Sequence, residues 1–340
     1  MVSPVVELLS ERIGPETLTI LPTYKCNAAC RECCFCSNPS LTERLSREQI
    51  FGVIFKAQEA FQSLRHVVFS GGECFLLYDD LFDALSYCNE LGLSTRCVTN
   101  GFWGKNPEKA ERIAERVHGA GCLEINVSTG VEHQEWVSLD AVMNASLSLV
   151  TRGVRVVLTI EKDTATSQCV RRALEHDVFE QLISYPNFSY QVNTWMYFKE
   201  GHSDRGLVEN REAIKGGCDQ LLNNFVVTPK NLVSSCCGLT FEYMPEMILG
   251  SAEETDFMSL YRAQLDDYRK LAIRALGPYE MLESKYGEDR LSNAQLDRIN
   301  HKCEACLMLH QFERENERLA EDARNPNAAF NVIQKIIATG

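Results

Sequence analysis

The stretch Cys26-Asn27-Ala28-Ala29-Cys30-Arg31-Glu32-Cys33 places three thiols on one short loop at C-x3-C-x2-C spacing and supplies no fourth at a matching distance. Cysteine thiolates are the protein ligands of iron-sulfur clusters, and ordinary ferredoxin runs reach four ligands with other spacings. Three ligands on a four-iron cube leave one iron open, and an open position is what separates a catalytic metal site from a structural one. Cys34 follows at once, but its side chain is expected to diverge from that of Cys33 and so not to close the site. A zinc loop, or chance clustering in a Cys-rich chain, is the other reading of the same residues.

Composition narrows the setting. A chain of 340 residues with 45% hydrophobic content can bury a large core, as one big barrel or as two domains. No N-terminal charged-then-apolar signal is visible, and no apolar run approaches the ~18 residues that a membrane span needs. The 15 Cys are therefore expected in a reducing cytoplasm, as metal ligands or small buried hydrophobes rather than disulfides. A net charge of -13 and the lack of a basic stripe speak against nucleic acid as a partner.

Outward from the loop, periodicity gives an alternation of strands and helices. Thr17-Leu18-Thr19-Ile20-Leu21 is β-rich and Pro22 ends it, so the thiols follow a first strand, after a lead-in at residues 1–16 with a helical turn through Val5 to Leu9. Ser46 and Gln49 form a capping box for a helix on which Ile50, Ile54, Ala57 and Phe61 share a face. Further strands are predicted at 66–70, 94–99, 122–128, 154–160 and 188–197, with helices at 79–91, 107–117, 139–150 and 166–183. The fold class is thus α/β with a mostly parallel sheet, and six units rather than eight make an open partial barrel whose site lies at the C-terminal ends of the strands. That rim receives Gly71-Gly72-Glu73 after strand two, Thr99-Asn100-Gly101 after strand three, and Ser128 at the end of strand four.

These residues resemble the radical S-adenosylmethionine (SAM) superfamily, defined by C-x3-C-x2-C after the first strand of a partial (β/α)6 barrel, over residues 17–310. The resemblance implies that Cys26, Cys30 and Cys33 hold a 4Fe-4S cluster whose open iron binds SAM. Reductive cleavage of SAM would then yield a 5'-deoxyadenosyl radical, with a flavodoxin- or ferredoxin-type protein as electron donor. Gly71, Gly72 and Glu73 look like the family's GGE motif, implying contact with the SAM amino group, although Cys74 stands where Pro is usual. Asn100, in a TNG-like turn, and Ser128 are carried over as SAM contacts; strand four lacks the Asp of the related Ser-x-Asp-Gly, and Glu32 stands where many members have an aromatic residue.

Past strand six the alternation lapses in the polar run 198–206, and a second thiol set follows: Cys218, Cys236, Cys303 and Cys306, with Cys237 competing for the place of Cys236. The C-x17-C and C-x2-C spacing resembles the Twitch form of the SPASM extension, most closely in a radical SAM aminocyclitol dehydrogenase. It implies a second, auxiliary 4Fe-4S cluster; structural zinc is the alternative. The expected organisation is a core barrel at 17–200, an auxiliary domain at 201–310 and a helical tail at 311–340 broken near Asn325-Pro326. Between the Cys pairs, Phe257, Leu260, Tyr261, Leu265, Tyr268 and Leu271 repeat as on one helix.

Taken together, the sequence reads as a radical SAM oxidoreductase. A closed second cluster would accept an electron, making the net change a two-electron oxidation of a ribosomally made peptide. A small polar metabolite such as an aminocyclitol is the alternative substrate, and a metal-stabilised binding protein on a decayed barrel is the non-enzyme alternative.

Overall fold

A computed structural model of the chain describes residues 13–162, 166–196, 211–286, 296 and 299–315. The turn expected at Val5 to Leu9, the polar run 198–206 with its domain boundary, and the tail beyond 315 with its break at Asn325-Pro326 lie outside the described residues.

Six strands, β1 (Thr17–Ile20), β2 (His66–Phe69), β3 (Ser94–Thr99), β4 (Glu124–Thr129), β5 (Arg155–Lys162) and β6 (Phe188–Thr194), lie side by side in sequence order, and every neighbour is parallel. Parallel neighbours need crossovers. These are α1 (Arg47–Ala60), α2 (Asp79–Glu90), α3 (Pro107–Gly119), the short α4 (Val131–Gln134), α5 (Leu139–Thr151), α6 (Gln168–Leu174) and α7 (Asp177–Leu182). The capping box starts α1 as expected: the Ser46 hydroxyl accepts from the Gln49 N–H at 3.2 Å, and Gln49 Oε1 accepts from the Ser46 N–H at 2.8 Å. Along β4, Ile125, Val127 and Thr129 are buried, while Glu124, Asn126 and Ser128 on the opposite face are only half-buried. The two-residue period therefore splits the strand into an apolar side and a polar side.

Two expectations need correcting. The helix predicted over 166–183 is two helices, because His176 interrupts it: its Nδ1 accepts from the Val178 N–H at 3.2 Å and caps α7, while Nε2 meets Asp140 at 2.9 Å. The periodic run starting at Phe257 is likewise α8 (Phe257–Leu265) followed by α9 (Tyr268–Ala275), with Asp267 accepting from the Arg269 and Lys270 N–H groups. A capping side chain in the middle of a run does not disturb hydrophobic spacing, so periodicity alone passes over it.

Three further strands were not announced by periodicity. β7 (Asn224–Val227) pairs parallel with β1, β8 (Leu232–Ser234) adds antiparallel to β7, and β9 (Ile248–Ser251) adds antiparallel to β8. The thiol set beyond residue 210 is thus attached to the same sheet as the first loop, on the far side of β1. Helices α10 (Pro278–Tyr286) and α11 (Lys302–Glu315) complete this part. No helix among the described residues is long and apolar enough to cross a membrane.

The packing of the rim is tight at Gly104, in the turn after β3, where an added Cβ would lie 2.0 Å from the Ala141 carbonyl oxygen and 2.8 Å from the Ala145 nitrogen of α5. Backbone atoms cannot swing aside, so Gly104→Ala should destabilise the fold by about 1–3 kcal/mol. Urea unfolding with an unchanged midpoint would contradict this packing.

Candidate functional site

The loop after β1 is clamped by the turn after β2. Gly72 N–H donates to the Thr23 carbonyl at 2.8 Å and Glu73 N–H to the Lys25 carbonyl at 2.9 Å. A Cβ on Gly72 would sit 2.2 Å from the Lys25 oxygen, and Gly71 has φ +98 with the Thr23 oxygen 2.7 Å from its would-be Cβ. Only glycine tolerates both the conformation and the approach. The close backbone approach expected of the Gly-Gly pair is thus made to the thiol loop itself. Cys26 is further fixed by its N–H, which donates to the Asn38 carbonyl at 3.2 Å.

Glu73 and Asn100 tie this clamp to β3. The Glu73 carboxylate, 1% exposed, accepts from the Phe75 N–H, the Thr99 hydroxyl and the Asn100 N–H at 3.1, 2.8 and 2.9 Å. Asn100 in turn reaches the thiol loop, its Nδ2 lying 2.9 Å from Asn27 Oδ1 and 3.6 Å from Cys26 Sγ. The Thr99-Asn100-Gly101 turn therefore touches a proposed cluster ligand directly.

Around the three thiols, negative charge accumulates. Burial, followed by the Glu73 charge, pushes the Cys26 thiol up to about 12. Burial raises Cys30 too, with Cys33, Cys26, Glu132 and Glu161 adding to the effect. Cys33 is the exception, held down at about 6 by hydrogen bonds from the Cys34 thiol first and then from the Ser37 and Phe35 N–H groups. Cys34 therefore does not diverge from Cys33 as expected from sequence: the loop folds back so that the two thiols meet. A metal cation that takes the place of the protons on Cys26 and Cys30 would offset what holds those two thiols up, and the donor chemistry of the set fits an iron-sulfur cluster.

Three neighbours of this loop, Glu132, His133 and Glu161, carry no signal in the sequence, and Trp195 joins them from just after β6. Glu132 of α4 accepts the Glu32 N–H at 2.6 Å, and the Trp195 indole N–H donates to the Glu32 carbonyl at 2.9 Å, so the residue before Cys33 is gripped from both sides. His133 Nδ1 lies 3.5 Å from Glu161 Oε2, and a Cβ on Gly130 would come 2.5 Å from the Glu161 Cβ. The strand ends at Lys162 rather than 160, and that extension carries Glu161 to the rim. Ser128 pairs with Thr159, whose hydroxyl accepts from Gln191 Nε2 at 2.9 Å, giving a polar row across β4, β5 and β6. On the same polar face, Asn126 Oδ1 is buried with no hydrogen-bond partner among the described residues.

Other candidates resolve differently. Cys88, Cys97 and Cys122 are buried in the core, and so is Cys74, whose thiol donates to the Val98 carbonyl at 3.4 Å. Trp103 is also core, packed on Phe75. Phe35 is buried against Phe241. Exposed Cys36 lies 3.2 Å from the Tyr243 hydroxyl.

The second thiol set converges. Burial raises Cys218, Cys303 and Cys306, and each also feels the charge of Cys236. Cys236 is itself lowered to about 6, by a hydrogen bond from Cys237 foremost and also from Thr240, whose hydroxyl lies 3.5 Å from the sulfur. Cys237 is raised well above the usual thiol range because it donates that bond. Burial and its bond to Cys33 likewise raise Cys34, which feels Cys303 as well, so the two sets adjoin. Trp195 stacks edge-on to His301 at 5.6 Å, and His301 Nδ1 accepts from the Cys303 N–H at 3.1 Å. Among the described residues, no three His, Cys, Asp or Glu side chains form a cage for a single ion.

The loop of three thiols lies at the C-terminal mouth of a parallel partial barrel, and residues 20–156 match the model of the Radical SAM superfamily, a family that uses a 4Fe-4S cluster and SAM. Over 129 residues the chain is 26% identical to YydG of Bacillus subtilis (strain 168), a protein named for peptide biosynthesis; the match takes in 38% of this chain and 40% of YydG. Among solved structures, anSMEcpe with bound AdoMet superimposes with a TM-score of 0.55 over 92% of this chain and 100% of that one, at 15% identity. The same protein with AdoMet and the Cp18Cys peptide gives 0.54 at 14% identity, over 92% of this chain and 99% of that one. At such identities the likeness speaks for the fold, which reaches well beyond the matched domain into the second thiol set.

Burial pushes Glu73 up to about 7 against the hydrogen bonds that hold it down. With the folded value above the ordinary 4.5, the folded chain keeps a proton that the unfolded chain releases, so this group's contribution to stability is lost as pH rises from about 4.5 to about 7. In the metal-free chain, the stability of wild type relative to Glu73→Gln should therefore fall across that window by about 3 kcal/mol. A pH-independent difference in urea unfolding would contradict a buried, ionisable Glu73.

Proposed function

We propose that this chain is a radical SAM oxidase that modifies a peptide. The observation that carries the reading is the cluster-ready trio Cys26, Cys30 and Cys33 at the barrel mouth, surrounded by carboxylates and clamped by a turn that only glycine can make. Held by Cys26, Cys30 and Cys33, a 4Fe-4S cluster would supply the electron for reductive cleavage of SAM to methionine and a 5'-deoxyadenosyl radical able to abstract hydrogen from substrate.

The chain's own residues do the rest. Gly71, Gly72 and Glu73 hold the loop in place and offer the rim to which the SAM amino group docks, while Asn100 orients Cys26. Ser128 and the polar row behind it face the remainder of SAM and the substrate, with hydrogen-bonding groups rather than an apolar slot. Glu132 and Trp195 hold Glu32, and through it the spacing of Cys30 and Cys33.

Cys218, Cys236, Cys303 and Cys306 are proposed to hold a second four-iron cluster, closed on all sides and suited to accept the electron left on the substrate. Thr240 and Cys237 donate to Cys236, which favours Cys236 over Cys237 as the ligand, since a ligand must be a thiolate. The resulting balance would be a two-electron oxidation: one hydrogen atom leaves to the adenosyl radical, one electron to the auxiliary cluster and one proton to solvent. A peptide substrate is supported by YydG, the relative named for peptide biosynthesis.

Two measurements test this. Anaerobically reconstituted, reduced protein incubated with SAM should release 5'-deoxyadenosine, and Cys30→Ala should release none; equal product from both would refute the assignment of the loop. Iron analysis should give about eight irons per chain, falling to about four in Cys236→Ala. About four in the wild type would remove the electron acceptor and with it the oxidative reaction class.

A further inference from the structure

Between α2 and α3, a cleft of about 280 Å³ is lined by the rings of Phe75, Tyr78, Phe82 and Phe102 together with Lys109, Arg112 and Arg116. We propose that this cleft is the docking site of an acidic electron-carrier protein that presents a planar reduced cofactor at its surface. The proposal rests on the function above, since only a chain that must be reduced from outside needs such a partner.

Charge is the first argument. The chain as a whole carries -13, so an acidic partner is repelled by most of its surface. Lys105, Lys109 and Arg112 form no ion pair among the described residues, whereas Arg116 is matched by Asp79 at 2.6 Å. Of the acidic residues on the same helix, Glu111 and Glu115 pair with Arg152, at 3.3 and 4.0 Å, and Glu108 alone stands against Lys105, Lys109 and Arg112, which leaves the cations in excess. A local positive field on a negative protein steers an acidic partner to one place.

Shape is the second. Lys109 lies 5.3 Å from the Phe102 ring centroid and Arg116 3.9 Å from that of Phe82, so cations and aromatic faces alternate around the opening. Tyr78 stands at the edge, 60% exposed and with φ +52, a conformation that a bulky residue seldom adopts. An exposed, strained aromatic beside an aromatic cleft suits a flat π-system and gains nothing from water.

Position is the third. Phe102 N–H donates to Asn100 Oδ1 at 3.0 Å, and Asn100 Nδ2 lies 3.6 Å from Cys26 Sγ. Phe75 N–H donates to Glu73, whose other oxygen holds the Asn100 N–H. The cleft floor is therefore one side chain away from a ligand of the SAM-binding cluster. A carrier with a flavin hydroquinone would give one electron to that cluster and be left as the semiquinone with loss of one proton.

The test uses the reconstituted full chain and an acidic flavodoxin, with Lys109→Glu/Arg112→Glu as the variant and exposed Arg171→Glu on α6 as the control. Calorimetric titration should show flavodoxin affinity reduced about tenfold or more in the double variant, with a flatter salt dependence, and unchanged in the control. Dithionite-driven release of 5'-deoxyadenosine should be the same in all three proteins while flavodoxin-driven release falls in the double variant. A double variant that binds flavodoxin like wild type, or loses no more than Arg171→Glu, would overturn the docking site. Wild type that releases no 5'-deoxyadenosine with dithionite would instead overturn the proposed function, while the titration still decides the docking.

Discussion

The backbone of Gly72 presses against the carbonyl of Lys25 so closely that no Cβ fits, and the rest of the site depends on that contact. Two consecutive N–H groups, of Gly72 and Glu73, pair with the loop immediately before Cys26 and carry the end of β2 into register with it. The first thiol is thereby placed by backbone hydrogen bonds rather than by flexible side chains. Glu73 then passes the constraint sideways, since its carboxylate fastens the Thr99-Asn100 turn, and Asn100 returns to Cys26. Loop, Gly-Gly turn and third strand close a ring of contacts in which each member is placed by the other two.

That ring confines charge that water would otherwise screen. Glu73 lies under Cys26, and Glu132 and Glu161 lie near Cys30, in surroundings where isolated anions are costly. The protein has arranged the cost around one point, and a cationic cluster offsets it there. The second set follows the same logic with neighbouring thiols: in Cys33-Cys34 and in Cys236-Cys237, the second sulfur donates to the first and favours its thiolate. Because β7 pairs with β1, both sets hang from one sheet, and Trp195 with His301 links the backbone of Glu32 to that of Cys303.

Much of this was legible in the sequence because it is written in short-range signals. The three-thiol spacing, the Gly-Gly-Glu turn, the Ser46 capping box and six strands alternating with helices all involve residues close along the chain. The misses are of another kind. His176 and Asp267 break helices by capping with a side chain, which hydrophobic period does not register. Glu132 and Glu161 come from separate rim segments, and nothing local marks them as neighbours of Cys30 and Cys33. The strands β7 to β9 are as short as β1 and β2, but no strand-helix alternation surrounds them to mark them out. Cys34 was misjudged because alternation of neighbouring side chains holds for a strand, whereas this loop turns back between Cys33 and Cys36.

The central claim is that Cys26, Cys30 and Cys33 leave one iron of their cluster free for SAM. Electron paramagnetic resonance of the reduced, oxygen-free protein, recorded with and without SAM, reads that directly. The account predicts cubane signals from two clusters, with one shifting when SAM is added and the other unmoved. A spectrum without a cubane signal, or one in which neither signal responds to SAM, would contradict it.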